Sequence, residues 1–351
     1  MTAENTNAEQ QLDNKHPALR RFWHPVSRSE DVTDEPISVE LLGEFWCLVR
    51  IDGVLSALPD RCPHRYAPLS AGSVVDGTLE CGYHGFRFAA DGTCVEIPAI
   101  GASAGNGGAI PPKAHCQAAY AVTDHLGLVW LAPEEPLAGL PIVAEHDDPD
   151  FVNCPLPILD WNAGAAQMTD NFLDQGHFPY LHLATFGAVE DRVVPEYELK
   201  RDGHTFTVNH SHTTKTLADS HGADDFTVAE RHDVFVFTPP HHVYLRIDYP
   251  ADNAVLTISF CHQPVNAETT RLYCTDYRND IEDTAEARQE TVDFQMAVAG
   301  EDKTMLEQFR TKAVPLDPTA EVHTKADRIT LEMRRIMAEL VGEANSQAGN
   351  R

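Results

Sequence analysis

Apolar and polar positions change rhythm twice along the chain. After ALRRFWHPV, the segment VELLGEFWCLVRIDG (39–53) alternates in part and ends on an Asp-Gly turn, which predicts a hairpin arm. VLSAL follows, then TLECGYHGFRFAADGTC with a second Asp-Gly turn, and LGLVWLA at 126–132 closes the stretch. This reads as a small all-β domain. PEEPLAGLP and the acidic run EHDDPD (145–150) predict a linker. Beyond Phe151, DWNAGAAQMTDNFLDQGHFPYLH (160–182) predicts a helix that Pro179 kinks or ends. Residues 190–278 alternate in long runs (HTFTVNHSHTT, DFTVAERHDVFVF, HHVYLRIDYP, AVLTISFCHQ, TRLYCTDY), an antiparallel sheet of five or six strands. From Ile281 the pattern turns helical, with a break or bend expected at Gly300. Ile329, Met333, Ile336, Met337 and Leu340 then mark an amphipathic closing helix. The fold class is α+β. Its expected parts are a flexible tail (1–17), the β domain (18–150), a domain with an antiparallel sheet flanked by helices (151–345) and a short tail (346–351).

Composition narrows the partners. Lys and Arg number 26 against 54 Asp and Glu, a net charge of −28 that disfavours nucleic acid and anionic membranes. No run of 18 apolar residues exists, and the polar N-terminus is no secretory signal. Cys47, Cys94, Cys116, Cys154, Cys261 and Cys274 lack framework spacing and read as small core residues, in keeping with a reducing cytoplasm. The glycine-rich loop 101–112 is no nucleotide fingerprint.

The chemistry begins in CPHRYAPLSAGSVVDGTLECGYHGF. Cys62-x-His64 faces Cys81-x-x-His84 across 16 residues. Two thiolates and two imidazoles can hold one tetrahedral zinc or a Rieske 2Fe–2S cluster. The spacing argues for the cluster, because each short loop supplies one cysteine and one histidine, one ligand to each iron. Pro63, Pro68, Gly82 and Gly85 suit two tight ligand turns. In so acidic a chain, Arg61, Arg65 and Arg87 beside these ligands suggest a basic docking patch for an acidic electron donor.

CPHRYAPLS…CGYHGFRF resembles the Rieske motif of the Rieske non-haem iron oxygenases, with Phe86 where many of them carry Trp. The resemblance covers about residues 18 to 340, and NFLDQGHFPYLH fits it. Asp174, His177 and His182 match the family's D-x-x-H-x4-H iron motif. Two imidazoles and a carboxylate on one face of Fe(II) leave positions open. The carboxylate is expected on a late helix, where AGEDKTMLEQF resembles vanillate- and dicamba-type demethylases and points to Asp302, with Glu301 as rival. Asp174 is expected to bridge His177 to a cluster histidine, His64 or His84, of the next subunit in a head-to-tail homotrimer. Asn171 is expected beside the iron.

The resemblance thus implies a helix-grip-like catalytic domain and the terminal oxygenase component of a monooxygenase. Its cofactors would be a 2Fe–2S Rieske cluster and mononuclear Fe(II). Electrons from NAD(P)H would arrive through a separate ferredoxin or ferredoxin reductase. With O2 it would hydroxylate, or O- or N-demethylate, a small aromatic compound, the hydroxylated methyl carbon leaving as formaldehyde. Ring or steroid hydroxylation is the alternative, and an electron-transfer protein without oxygenase activity the alternative of another class. Phe294, Gln295 and Val298 are expected to face the pocket. Of the remaining histidines, including His204, His210, His212, His221, His232 and His262, most read as surface or core, and His241 and His242 as weak substrate contacts.

Overall fold

Asp52-Gly53, as expected, and Asp76-Gly77 each sit at a hairpin reversal, and the second expected turn, Asp91-Gly92, joins the paired strands Arg87–Phe88 and Cys94–Ile97. Asp52 and Gly53 have φ of 50° and 80°, Asp76 and Gly77 47° and 69°, the paired positive values of a type I′ turn. They join Glu44–Ile51 to Val54–Pro59 and Ser73–Val75 to Thr78–Glu80. The arm expected over 39–53 is in fact two strands, Ile37–Leu41 and Glu44–Ile51. The extra turn is Leu42-Gly43, with φ of 55° and 78°. Leucine rarely adopts this conformation, so the sequence carried no turn signal; burial of Leu42 holds it there.

The computed structural model describes residues 11–103, 109–187, 192–215 and 228–348. The outer ends of the expected tails, part of the glycine-rich loop, residues 225–227 of the expected second strand and His221 lie outside them. The chain forms two units, Leu19–Leu137 and a second that joins the segment ending at Ala18 to everything from Ala138 onward.

In the first unit, three small antiparallel sheets enclose a core that includes Cys47, Val49, Leu58, Leu69, Leu79 and Phe88. One ligand loop follows the strand Val54–Pro59; the other joins Thr78–Glu80 to Arg87–Phe88.

The second unit is built on an eight-stranded antiparallel sheet. Its order is Val152–Pro155, Thr270–Arg278, Ala254–Pro264, His242–Tyr249, Val228–Thr238, Thr205–Lys215 and Glu198–Asp202, with Leu159–Trp161 also paired to Thr270–Arg278. The two strands beyond the expected five or six are the short pieces before residue 162, too brief to show alternation. Four α-helices flank the sheet among the described residues: α1 (Ala165–Leu173), α2 (Phe178–Leu181), α3 (Ala285–Leu306) and α4 (Arg328–Ala348). The apolar stripe of α4 is buried as expected, with Met333, Ile336, Met337 and Leu340 fully inaccessible.

Three expectations need correction. The acidic run at 145–150 is no linker. Glu145 is buried and accepts hydrogen bonds from Tyr244 Oη (2.9 Å), Arg246 Nη1 (2.6 Å) and Thr257 Oγ1 (3.1 Å) of the sheet. Residues 11–17 of the expected tail are packed into the fold. Gln11–Leu12 pairs with Val314–Pro315, and buried Asn14 donates to Asn266 O, Thr269 O and Thr270 Oγ1. Asn14 Oδ1 also accepts from Ala165 N (2.7 Å), satisfying an orphan donor at the start of α1.

Nor is the third helix broken at Gly300. It runs through a glycine that is exposed and has open space where a Cβ would stand. Gly300→Ala is therefore expected to stabilise the protein by roughly 0.5–1 kcal/mol, through lower backbone entropy in the unfolded chain. A raised urea midpoint at constant slope would show it; a lowered midpoint would mean the helix needs the glycine.

Candidate active site: two metal centres

The two ligand loops of the first unit repeat one backbone pattern. Cys62 N donates to Ala67 O and Cys81 N to Phe86 O, both 2.8 Å. Four residues after each cysteine, Tyr66 N and Gly85 N return to the cysteine's own carbonyl at 2.8 and 3.0 Å. Both returning residues have positive φ, 62° and 69°. Gly82 is required by packing, because a Cβ there would stand 2.7 Å from Ala71 O. The result buries both thiols and exposes both imidazoles. Burial pushes the Cys62 thiol up to about 11, with neighbouring Cys81 adding to it, and binding a cation relieves that cost. The rings of His64 and His84 meet edge to face, centroids 4.5 Å apart, and buried Phe86 stacks on His64 at 4.7 Å. A buried thiol pair beneath an exposed imidazole pair is the donor layout of a 2Fe–2S centre ligated on one iron by sulfur and on the other by nitrogen.

The expected basic docking patch is only partly there. Arg87 is engaged by Glu80 (2.8 Å), Asp76 (3.3 Å) and Glu96 (3.4 Å). The Arg61 guanidinium lies 3.6 Å from the centre of the Tyr66 ring. Arg61 and Arg65 are exposed, as are the Tyr66 and Tyr83 rings, the latter 3.9 Å from the His84 ring centre, so this tip presents both cationic and aromatic groups.

The second centre is assembled from three elements. Helix α1 ends at Leu173, and Asp174 is its C-cap. His177 precedes the short α2 and His182 follows it, with Pro179 in the first turn of α2. The break that aims the two histidines is thus Asp174-Gln175-Gly176, not Pro179: proline is tolerated in a first turn, where its missing N–H costs nothing. Helix α3 brings in Asp302, 1% exposed.

These side chains converge. His177 Nε2 and His182 Nε2 lie 3.1 Å apart, and Asp302 Oδ1 stands 3.5 and 3.3 Å from them. The far edges of both rings are fixed by carboxylates, His177 Nδ1 on Asp174 Oδ2 (2.9 Å) and His182 Nδ1 on Glu301 Oε2 (2.8 Å). Donation from Nδ1 leaves each Nε2 lone pair aimed inward. Glu301, the rival ligand, is accordingly a support for His182, itself held by Thr185 Oγ1 at 2.7 Å. Asn171 Nδ2 donates to Asp302 Oδ1 at 2.9 Å.

Burial opposes the charge on Asp302, but hydrogen bonds from His177, His182 and Asn171 hold its carboxyl down at about 2. Burial also opposes the His177 imidazolium, yet Asp174 and Asp302 raise it to about 9. A cation is what this buried group of donors favours, and a divalent ion displaces the proton on binding.

The cavity beside these atoms is walled by Phe172, Phe178, Phe186, Phe260 and Ile258. Phe294, Gln295 and Val298 line it from α3, as expected, and Arg231 and Tyr249 add polar groups from the sheet. His241 and His242 do not line it. Both are buried; His242 Nε2 meets Ser259 Oγ at 3.1 Å, and His241 Nδ1 lies 3.4 Å from Thr169 Oγ1.

A cluster-bearing β unit and a sheet-and-helix unit with a histidine–carboxylate pocket together define an oxygenase of the Rieske non-haem iron class. Residues 161–343 match the vanillate O-demethylase oxygenase C-terminal domain, and residues 22–112 match the Rieske [2Fe-2S] domain. The chain belongs to the vanillate O-demethylase oxygenase family. Methylxanthine N1-demethylase NdmA of Pseudomonas putida is 25% identical over 94% of this chain and 91% of its own. The putative toluene-4-sulfonate monooxygenase system iron-sulfur subunit TsaM2 of Comamonas testosteroni is 30% identical over 82% of this chain and 87% of its own. The solved structure of Pseudomonas putida CBB5 NdmB shares the fold, with a TM-score of 0.80 at 24% identity, covering 96% of this chain and 95% of that one. The protein is the terminal oxygenase component of a Rieske monooxygenase. Its cofactors are a 2Fe–2S cluster and a mononuclear iron, and its electrons come from a separate protein. No helix among the described residues is long and apolar enough to cross a membrane.

Proposed function

We propose that the protein removes an O- or N-methyl group from a small aromatic compound. Cys62, His64, Cys81 and His84 hold the cluster, and His177, His182 and Asp302 hold the iron. The observation that carries this reading is the cavity, which is lined by phenylalanines and by the converging residues His177, His182 and Asp302. Aromatic walls favour a flat ring, and the few polar groups, Gln295, Arg231 and Tyr249, can orient it. When bound, the iron supplies O2 activation beside the substrate. The chain's own part is to hold the methyl carbon beside those three residues and to exclude water. Hydroxylation of that carbon gives a hemiacetal or carbinolamine, which collapses to the demethylated product and formaldehyde.

We also infer a head-to-tail homotrimer in the cytoplasm. Asp174 is 30% exposed and lines an open hollow together with Tyr180, Met305, Phe309 and Val322, all apolar or aromatic and exposed. That hollow suits the exposed imidazoles and tyrosines of a second copy's cluster tip. Asp174 Oδ2 holds His177, and the remaining lone pairs of the carboxylate can accept His64 or His84 of that copy.

Mass spectrometry on a panel of methoxylated and N-methylated aromatics, with NADH, a reductase and O2, tests the reaction. The expected result is a demethylated product with equimolar formaldehyde. A ring-hydroxylated product that keeps its methyl group would point to the other oxygenase outcome.

A further inference from the structure

A second group of two imidazoles and one carboxylate lies on the sheet, made of residues other than those that form the two centres above. His210 and His212 are two apart on Thr205–Lys215, so they share a face, and Asp233 on Val228–Thr238 is the register partner of His210. His210 Nε2 and His212 Nε2 stand 3.1 and 3.2 Å from the same oxygen, Asp233 Oδ2. All three ligand atoms fall within 4.8 Å of one another. Donors about 2.0–2.1 Å from a tetrahedral zinc stand roughly 3.3 Å apart, so the group needs little movement to close on one ion.

The surroundings support a built site. The carboxylate is fixed by Arg231 Nε on its other oxygen, Oδ1, at 2.5 Å, which leaves Oδ2 to the imidazoles. The side chains of His210 and Asp233 are 1% and 2% exposed, while His212 is 25% exposed and marks the open side. The three line a cavity together with Gln175. Gln175 is 7% exposed, and neither its buried amide nitrogen nor its buried oxygen has a partner among the described residues. An unpartnered buried amide in that wall is placed to hold an ion's remaining water.

We propose that His210, His212 and Asp233 bind a divalent transition ion of the zinc type, with its fourth position open to this cavity. The site is weaker than the catalytic one. Besides its two imidazoles, Asp233 meets the Arg231 guanidinium, whereas Asp302 meets, besides its own two imidazoles, the neutral amide of Asn171. The catalytic triad therefore fills first, and the sheet site fills at higher metal concentration. The alternative is an aspartate that merely accepts two imidazole N–H groups and holds two strands together.

The test uses the full-length protein with cluster and iron in place, dialysed anaerobically against zinc, desalted and analysed for metals. One zinc per chain is expected with the full iron content retained. His212→Ala, at the exposed edge, should lose at least nine-tenths of that zinc and none of the iron, and His212→Gln should do the same. Cobalt offered instead should give ligand-field absorption that either substitution removes. Absence of retained zinc would overturn the inference, as would zinc that enters only by displacing iron, or zinc undiminished in both variants. Iron measured in the same samples keeps the two readings apart: full iron without zinc sinks this site alone, whereas a missing third iron counts against the assignment at His177, His182 and Asp302.

Discussion

Asp302→Ala is expected to remove the mononuclear iron and reduce product formation below detection, while the visible absorption of the cluster is unchanged. The substitution deletes the one carboxylate that, among the described residues, faces both Nε2 atoms, at 3.5 and 3.3 Å, and with it the acceptor of Asn171. Asp174 and Glu301 remain behind the two rings, so the dication keeps two imidazoles but loses the carboxylate that would touch it directly. Glu301→Ala is the control. It frees the far edge of the His182 ring and should cost about 10–100-fold in iron affinity, the usual effect of losing a carboxylate behind a ligand imidazole. Iron content and the electronic spectrum of each variant decide. Loss of iron in Glu301→Ala with retention in Asp302→Ala would move the ligand one position back.

Asp174→Asn is expected to leave both metals bound and the cluster normally reducible, yet to slow its reoxidation by O2 in the presence of substrate by orders of magnitude. If Asp174 only oriented His177, an amide oxygen would still accept that N–H, and the rate would fall little. If it also accepts an imidazole N–H from a second copy, the amide presents a donor to a donor at one end, and the electron route between centres is interrupted. Stopped-flow absorbance of the pre-reduced protein reads this directly. Reoxidation at the wild-type rate in a metal-replete variant would remove Asp174 from the path and take the main argument for the head-to-tail ring with it.

How much of this was legible in the sequence depends on how far apart the interacting residues lie. Each cluster loop was legible because a cysteine and a histidine sit two or three residues apart in turns with their own residue requirements. The stripe of α4 was legible because periodicity needs no distant partner. Asn14 was invisible for the opposite reason, since it bonds to groups more than 250 residues away. Glu145 looked like linker charge because its partners lie about 100 residues on. Leu42 carries no turn signal at all.

The meeting of His177 and His182 was legible in the sequence, the groups that support them less so. His177 and His182 were readable from spacing once the cluster motif was seen, but the site of the helix break was misplaced. Pro179 is a strong breaker inside a helix, and nothing local showed that the helix restarts just before it. Successive helical residues point about 100° apart, so Glu301 and Asp302 could not both face the iron. Only the positions of Thr185 and His182 give Glu301 its place. The pairing of His210 and His212 with Asp233 depends on strand register, which alternation alone does not supply.

The central claim is that this chain carries two distinct iron centres, and its most direct test is the iron, zinc and acid-labile sulfide content of the wild-type protein purified anaerobically. Three irons and two sulfides per chain are predicted, two irons in the cluster and one at His177, His182 and Asp302. Zinc as the main metal, or two irons and two sulfides with no third iron taken up on reconstitution, would contradict it.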